Sequence, residues 1–177
     1  MSVSFNLALR ARIHRYLNQD SVITERKSNF RSVFLSRKVE FDVYLPPDYF
    51  SEKEKYPVLY FNDGQDMPAV KMEQTLELLY FHQRIQKIIV VAIHTGTARV
   101  QEYGTASSPD FAKRGSRAPH YTDFVIKELM PYINSRYHTL VEAKHTAFAG
   151  FSLGGLSALD ISWSFPQLFS KVGVFSG

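Results

Sequence analysis

The chain has 177 residues, of which 45% are hydrophobic and 14% aromatic, no cysteine, and a formal net charge of +4 with a pI near 9.2. That length supports one domain with a real core. The composition excludes disulfides, thiolate metal sites and a cysteine nucleophile, and the scattered Lys and Arg residues argue against a nucleic-acid face.

Residues 1–20 read as an N-terminal arm or short amphipathic helix, with Leu9, Ile13, Tyr16 and Leu17 on one face. Their apolar stretch, residues 5–9, is broken by Asn6 and followed by Arg10 and Arg12. It is too short for a signal-peptide core or a membrane span. A cytoplasmic protein with no membrane partner is expected. Residues 22–24 and 33–35 are short β-type runs separated by a polar Lys27-Ser28-Asn29 turn, and residues 39–45 alternate as a half-buried strand does.

From Pro57 the pattern changes. Residues 58–61 form a continuous apolar run, as in a strand covered on both faces. A loop, residues 62–66, follows, with Asp66 and Pro68 marking a helix start and Met72, Leu76, Leu79 and Gln83 tracing one side of that helix to about Arg84. Residues 88–93 are a second buried strand. A long helix is expected over 121–137, bent or restarted at Pro131, then a strand over 146–149, a helix over 153–164 and a strand over 172–175. This alternation predicts a parallel, doubly wound α/β sheet with antiparallel strands leading it. The connection over 94–120 is too long for simple wiring. It reads as a substrate-shaping loop leaving the carboxyl edge of the sheet, with a plain surface loop as the alternative.

The most specific signal is Gly150-Phe151-Ser152-Leu153-Gly154-Gly155. Between a strand and a helix, G-x-S-x-G reads as a nucleophile elbow, a sharp turn that presents a serine hydroxyl above the sheet; the alternative is a structural tight turn. No cofactor or metal is expected. Nothing matches H-E-x-x-H, and no glycine-rich phosphate loop is present.

Several further segments carry a family likeness. They are Val43-Tyr44-Leu45-Pro46-Pro47-Asp48-Tyr49, Tyr56-Pro57-Val58-Leu59-Tyr60 with Asp63-Gly64, Arg99 with Glu102-Tyr103, Glu128-Leu129-Met130-Pro131-Tyr132-Ile133, and Phe165-Pro166 with Phe169. With the elbow they span residues 39–177 in order, and by them the chain resembles the esterase D branch of the α/β-hydrolase superfamily, whose relatives include S-formylglutathione hydrolases, feruloyl esterases and siderophore esterases. The resemblance implies a three-layer α/β-hydrolase fold over 21–177, mostly parallel with antiparallel N-terminal strands and lacking the C-terminal strands. It implies a serine carboxylic-ester hydrolase acting on a small-molecule ester, with Ser152 as nucleophile and the N–H groups of Leu153 and Gln65 as the oxyanion hole. Arg99, Glu102 and Tyr103 become substrate-pocket candidates, although an Arg99–Glu102 salt bridge is an alternative reading.

That family places its triad acid and histidine beyond position 177, so the sequence reads as truncated and, alone, as inactive. His94, which ends a buried strand on the same sheet edge as Ser152, is the one candidate for a substitute base; a substrate contact or a loop histidine are its other readings. A catalytically inactive binding protein and an acyltransferase are the competing functions.

Overall fold

The computed structural model describes residues 21–108, 110 and 114–175. The expected arm over residues 1–20 lies outside them. A six-stranded sheet runs through the described residues in the order β1-β2-β4-β3-β5-β6. Its strands are β1 (Ile23–Ser32), β2 (Arg37–Leu45), β3 (Val58–Asn62), β4 (Ile89–Ile93), β5 (Thr146–Phe151) and β6 (Lys171–Phe175). β1 and β2 pair antiparallel, as do β2 and β4, and the remaining neighbours are parallel.

The leading edge differs from the sequence expectation. The Lys27-Ser28-Asn29 stretch is not a turn. β1 runs straight through it with a register shift between Lys27 and Phe30, a bulge that turns Phe30 onto Phe41, Phe124 and Tyr132. Residues 33–35, expected as a strand, form the hairpin turn, closed by Ser36 N–H on the Val33 carbonyl at 3.2 Å. The polar run looked like a turn, but pairing with β2 satisfies its backbone, and the contacts of Phe30 repay the irregularity.

Alternate side chains of the strands enter two separate cores. Phe41, Val43, Tyr60, Val91, Ile93 and Phe148 share one with Phe124, Leu129, Ile133, Ala158 and Ile161. Tyr44, Phe61, Val90, Ala92 and Ala149 share the other with Met67 and Leu76. Period-two alternation therefore loads both faces of the sheet, giving three layers. Helix α1 (Met72–Phe81) covers the second face; it starts later than Asp66 and Pro68 suggested, because a 3-10 turn (Gly64–Asp66) and a further turn precede it. Short helix α2 (Arg99–Glu102) lies within the long connection. The first face is covered by α5 (Leu153–Ser164) and by a rod made of α3 (Ala118–Asp123), a π-helical turn (Phe124–Leu129) and α4 (Met130–Arg136). The wide turn sits just before Pro131, whose missing N–H leaves the Lys127 carbonyl without its i+4 donor. Among the described residues no helix is long and apolar enough to cross a membrane.

Sheet order fixes the site. After β3 the chain steps outward to β4, then returns to the other side of β3 as β5. The carboxyl ends of β3 and β5 therefore flank a topological switch point, where the two connections leave in opposite directions and open a crevice. The loop after β3 and the elbow after β5 meet there.

Candidate active site

Ser152 follows β5 directly and stands as the N-cap of α5 with φ 48° and ψ −121°, a conformation that L-residues rarely adopt. Glycines permit the turn. A Cβ on Gly150 would lie 2.5 Å from the Gly154 carbonyl group, so strand and helix backbones touch directly. A Cβ on Gly155 would sit 2.8 Å from the Gly150 carbonyl oxygen and 3.0 Å from Val174, which lets α5 rest on β6. Ser152 N–H donates to the Phe175 carbonyl at 2.7 Å, tying the elbow to the end of β6. The serine is exposed.

Leu153 is the first residue of a 12-residue helix, so its N–H has no intrahelical acceptor and lies at the positive end of the helix dipole. Gln65 lies in the 3-10 turn after β3. A Cβ on Gly154 would fall 2.6 Å from Asp63 Oδ2, which shows how closely this turn abuts the elbow. The Gln65 side chain is held by Thr95 N–H, which donates to Oε1 at 3.1 Å.

Beneath the junction lies a buried polar frame. Asn62 donates from Nδ2 to the Gly154 carbonyl at 2.8 Å and accepts the Tyr121 hydroxyl at 2.6 Å. Asp63, with a left-handed φ of 61°, is 1% exposed; its N–H donates to the Tyr103 hydroxyl, and Arg99 clamps its carboxylate through two bonds of 2.7 and 2.8 Å. The Arg99 guanidinium lies over the Tyr103 ring, 5.3 Å from its centroid. Burial, aided by Asp63 beside Tyr103 and by Tyr103 beside Tyr121, pushes both phenols well above their ordinary range, so they stay protonated. The Asp63 hydrogen bond in turn raises the Arg99 guanidinium.

A cleft of about 540 Å³ opens at Ser152, within the size range of small-ligand sites. Leu153, Leu156, Leu159 and Val174 form its apolar side; Thr105, Ser108, Asp110 and Arg114 form the other. The long connection thus supplies one wall. Ala106 N–H anchors it to Asp160 of α5 at 2.9 Å.

None of the four expected pocket residues is on that lining. Arg99 and Tyr103 brace Asp63 instead. Glu102 is fully buried and takes two bonds from Arg37, at 3.0 and 2.7 Å, so the anticipated Arg99–Glu102 pair does not form. His94 turns toward β2. Its Nε2 is 2.9 Å from Asp42 Oδ2, and its Nδ1 is 3.8 Å from Glu40 Oε2. With both nitrogens directed at β2 carboxylates, it is not placed to take a proton from Ser152. Asn62, Tyr121 and Arg114 were not singled out from sequence, and Asp63 was named only within the Asp63-Gly64 likeness. The polar pair that follows the apolar run 58–61 was the available signal for Asn62. Among the described residues no group of three or more His, Asp or Glu side chains is set to hold a metal ion.

Asp42 gives this region a pH signature. Burial opposes its ionisation, but hydrogen bonds from His94 and Arg26 outweigh that and hold its pKa below the ordinary value. A depressed folded pKa contributes stability that is full above the unfolded value, near 3.9, and is lost as pH falls through the folded value. Asp42→Asn is therefore expected to cost about 1–3 kcal/mol at pH 7. Urea titrations of both proteins should show the gap narrowing below about pH 4; a gap independent of pH would show that the charge contributes nothing.

The family described as "Putative esterase" matches residues 32–177. The chain is 28% identical over 141 residues to Uncharacterized protein YbbA of Bacillus subtilis, covering 77% of this chain and 56% of that protein. Among solved structures, the ferulic acid esterase AmCE1/Fae1A of Anaeromyces mucronatus superposes with a TM-score of 0.71 at 26% identity, covering 88% of this chain and 59% of the other. An IroE-like serine hydrolase of Shewanella oneidensis gives 0.67 at 28% identity, with 84% and 48% covered. The chain thus spans about half the length of these relatives.

Proposed function

The chain belongs to the esterase family, and on that premise we propose that it is the nucleophile-bearing portion of a serine carboxylic-ester hydrolase. The observation that carries this reading is Ser152, exposed at a strained strand-to-helix turn on the wall of a cleft. Ser152 Oγ attacks the ester carbonyl carbon and passes its proton to a general base. The carbonyl oxygen becomes an oxyanion, received by the N–H groups of Leu153 and Gln65; each such aimed donor contributes about 3 kcal/mol. Collapse of the intermediate breaks the bond to the alcohol oxygen, which leaves with the proton, and water then releases the acid from the acyl-serine. The solved relatives named as a ferulic acid esterase and a serine hydrolase favour a small carboxylic ester as substrate, and the apolar side of the cleft suits an apolar acyl or alcohol group.

The base and its orienting carboxylate are assigned to polypeptide outside these 177 residues. Among the described residues no histidine lines the cleft, His94 is committed to Asp42, and the match covers only 56% and 48% of two of the relatives. A fluorophosphonate probe tests the assignment. It should label the full-length protein at Ser152, as peptide mapping would show, and the 177-residue chain at least ~100-fold more slowly, because a serine hydroxyl without a base is a poor nucleophile. Labelling at a different serine would overturn the nucleophile, and equal rates would overturn the external base.

A further inference from the structure

The turn that carries Gln65 is held by a cation that is not on the cleft lining. Asp63 opens this turn with φ 61° and ψ 46°, and the first closing bond runs from Asp66 N–H to the Asp63 carbonyl at 2.9 Å. Gln65 N–H therefore has no acceptor within the turn. On one side the turn lies flat on the end of β4. A Cβ on Gly64 would meet the Ala92 carbonyl oxygen at 2.4 Å and His94 at 2.7 Å. On the other side the Asp63 carboxylate is the spacer between turn and elbow, because its Oδ2 abuts Gly154, two residues after Ser152. The position of this carboxylate thus sets how the Gln65 turn stands to Ser152.

We propose, resting on the esterase reading above, that Arg99 is a positioning residue for ester hydrolysis, acting through Asp63 to keep the Gln65 N–H aimed at the oxyanion. Among the described residues Arg99 is the one cation bonded to Asp63, through Nε to Oδ1 at 2.7 Å and Nη2 to Oδ2 at 2.8 Å. The second of these is the oxygen that abuts Gly154. A planar fork fixes a carboxylate in orientation as well as distance, which a point charge cannot do. The other side-chain donor to Asp63, Gln65 Nε2, is 3.4 Å away, too long to substitute. Without Arg99 a carboxylate only 1% exposed loses its cation, and turning toward water relieves it. That rotation withdraws the spacer and lets the turn shift. The Arg99 side chain is itself 33% exposed, so a small soluble cation can reach the place it leaves.

The full-length protein assayed with p-nitrophenyl butyrate provides the test. Arg99→Ala should lower kcat about 30-fold while KM stays within about threefold, the pattern of an interaction made only in the transition state. Arg99→Lys, which keeps a cation beside Asp63 but not the fork, should still lose about fivefold in kcat. Methylguanidinium should raise kcat of the alanine variant about fivefold, and methylammonium should not. Arg37→Lys makes the same change in the other arginine clamped to α2, through Glu102, and should leave kcat unchanged. A merely structural role would lower the melting temperature without producing the kcat loss or its rescue. Wild-type kcat in both Arg99 variants, a rise in KM alone, or no recovery with methylguanidinium would each overturn the positioning role and leave Ser152 as nucleophile. Wild-type turnover in Ser152→Ala would instead overturn the esterase reading, and this role with it.

Discussion

Ser152→Ala in the full-length protein is expected to lower p-nitrophenyl butyrate hydrolysis by about 10⁴-fold or more, since removal of a nucleophile abolishes the entire covalent route. Thermal stability should not change. Ser152 is exposed and its side chain caps no helical N–H, so loss of the hydroxyl leaves no buried group unpaired. Ser152→Gly should be equally inactive yet more stable. The serine is held at φ 48° and ψ −121°, a conformation that costs a residue with a Cβ about 1 kcal/mol or more and costs glycine little. Calorimetry should then show the glycine variant melting about 2–4 °C higher than both wild type and the alanine variant. The two variants separate reactivity from strain. Wild-type turnover in Ser152→Ala would remove the serine from the chemistry, and an unshifted melting point in Ser152→Gly would show that the elbow stores no strain.

The second large effect is expected at Gly150. A Cβ there would lie 2.5 Å from both the carbonyl carbon and oxygen of Gly154 and 2.9 Å from the Gly155 nitrogen. All three are backbone atoms, so no side chain can swing aside, and α5 must be pushed off β5. Overpacking of this kind costs about 3 kcal/mol. Displacing Ser152 by about 1 Å costs a further 10²-fold in rate. Gly150→Ala should therefore be both destabilised in urea and at least ~100-fold less active. Gly96→Ala is the matched control. There the nearest atoms, at 3.3–3.5 Å, belong to the Arg37 guanidinium, which need give only a few tenths of an ångström. A Gly150→Ala protein with wild-type stability would mean that the elbow is looser than this contact implies.

Local features were legible because their causes are local. The elbow needs glycines where two backbones meet, so Gly150, Gly154 and Gly155 announced a strand, a turn and a helix within a few residues. Helix α5 fell where expected, over Leu153–Ser164, and the apolar runs at 58–61 and 146–149 became β3 and β5. The leading hairpin was harder. A polar stretch such as Lys27-Ser28-Asn29 satisfies its backbone equally well in a turn or in a bulged strand, and only pairing with β2 decides between them.

The sequence by itself determined the doubly wound alternation and the serine at the strand-to-helix turn, both written in short-range spacing and backbone sterics. It did not determine the partners of the charges. Arg99 and Glu102 are one helical turn apart and looked like a pair, yet Arg99 reaches Asp63 across 36 positions and Glu102 reaches Arg37 across 65. His94 likewise finds Asp42 across 52. Those pairings follow from the order of strands in the sheet, which brings loop ends together regardless of their separation along the chain. A buried carboxylate takes whichever cation that order delivers, because leaving it unpaired away from water costs more than any local preference.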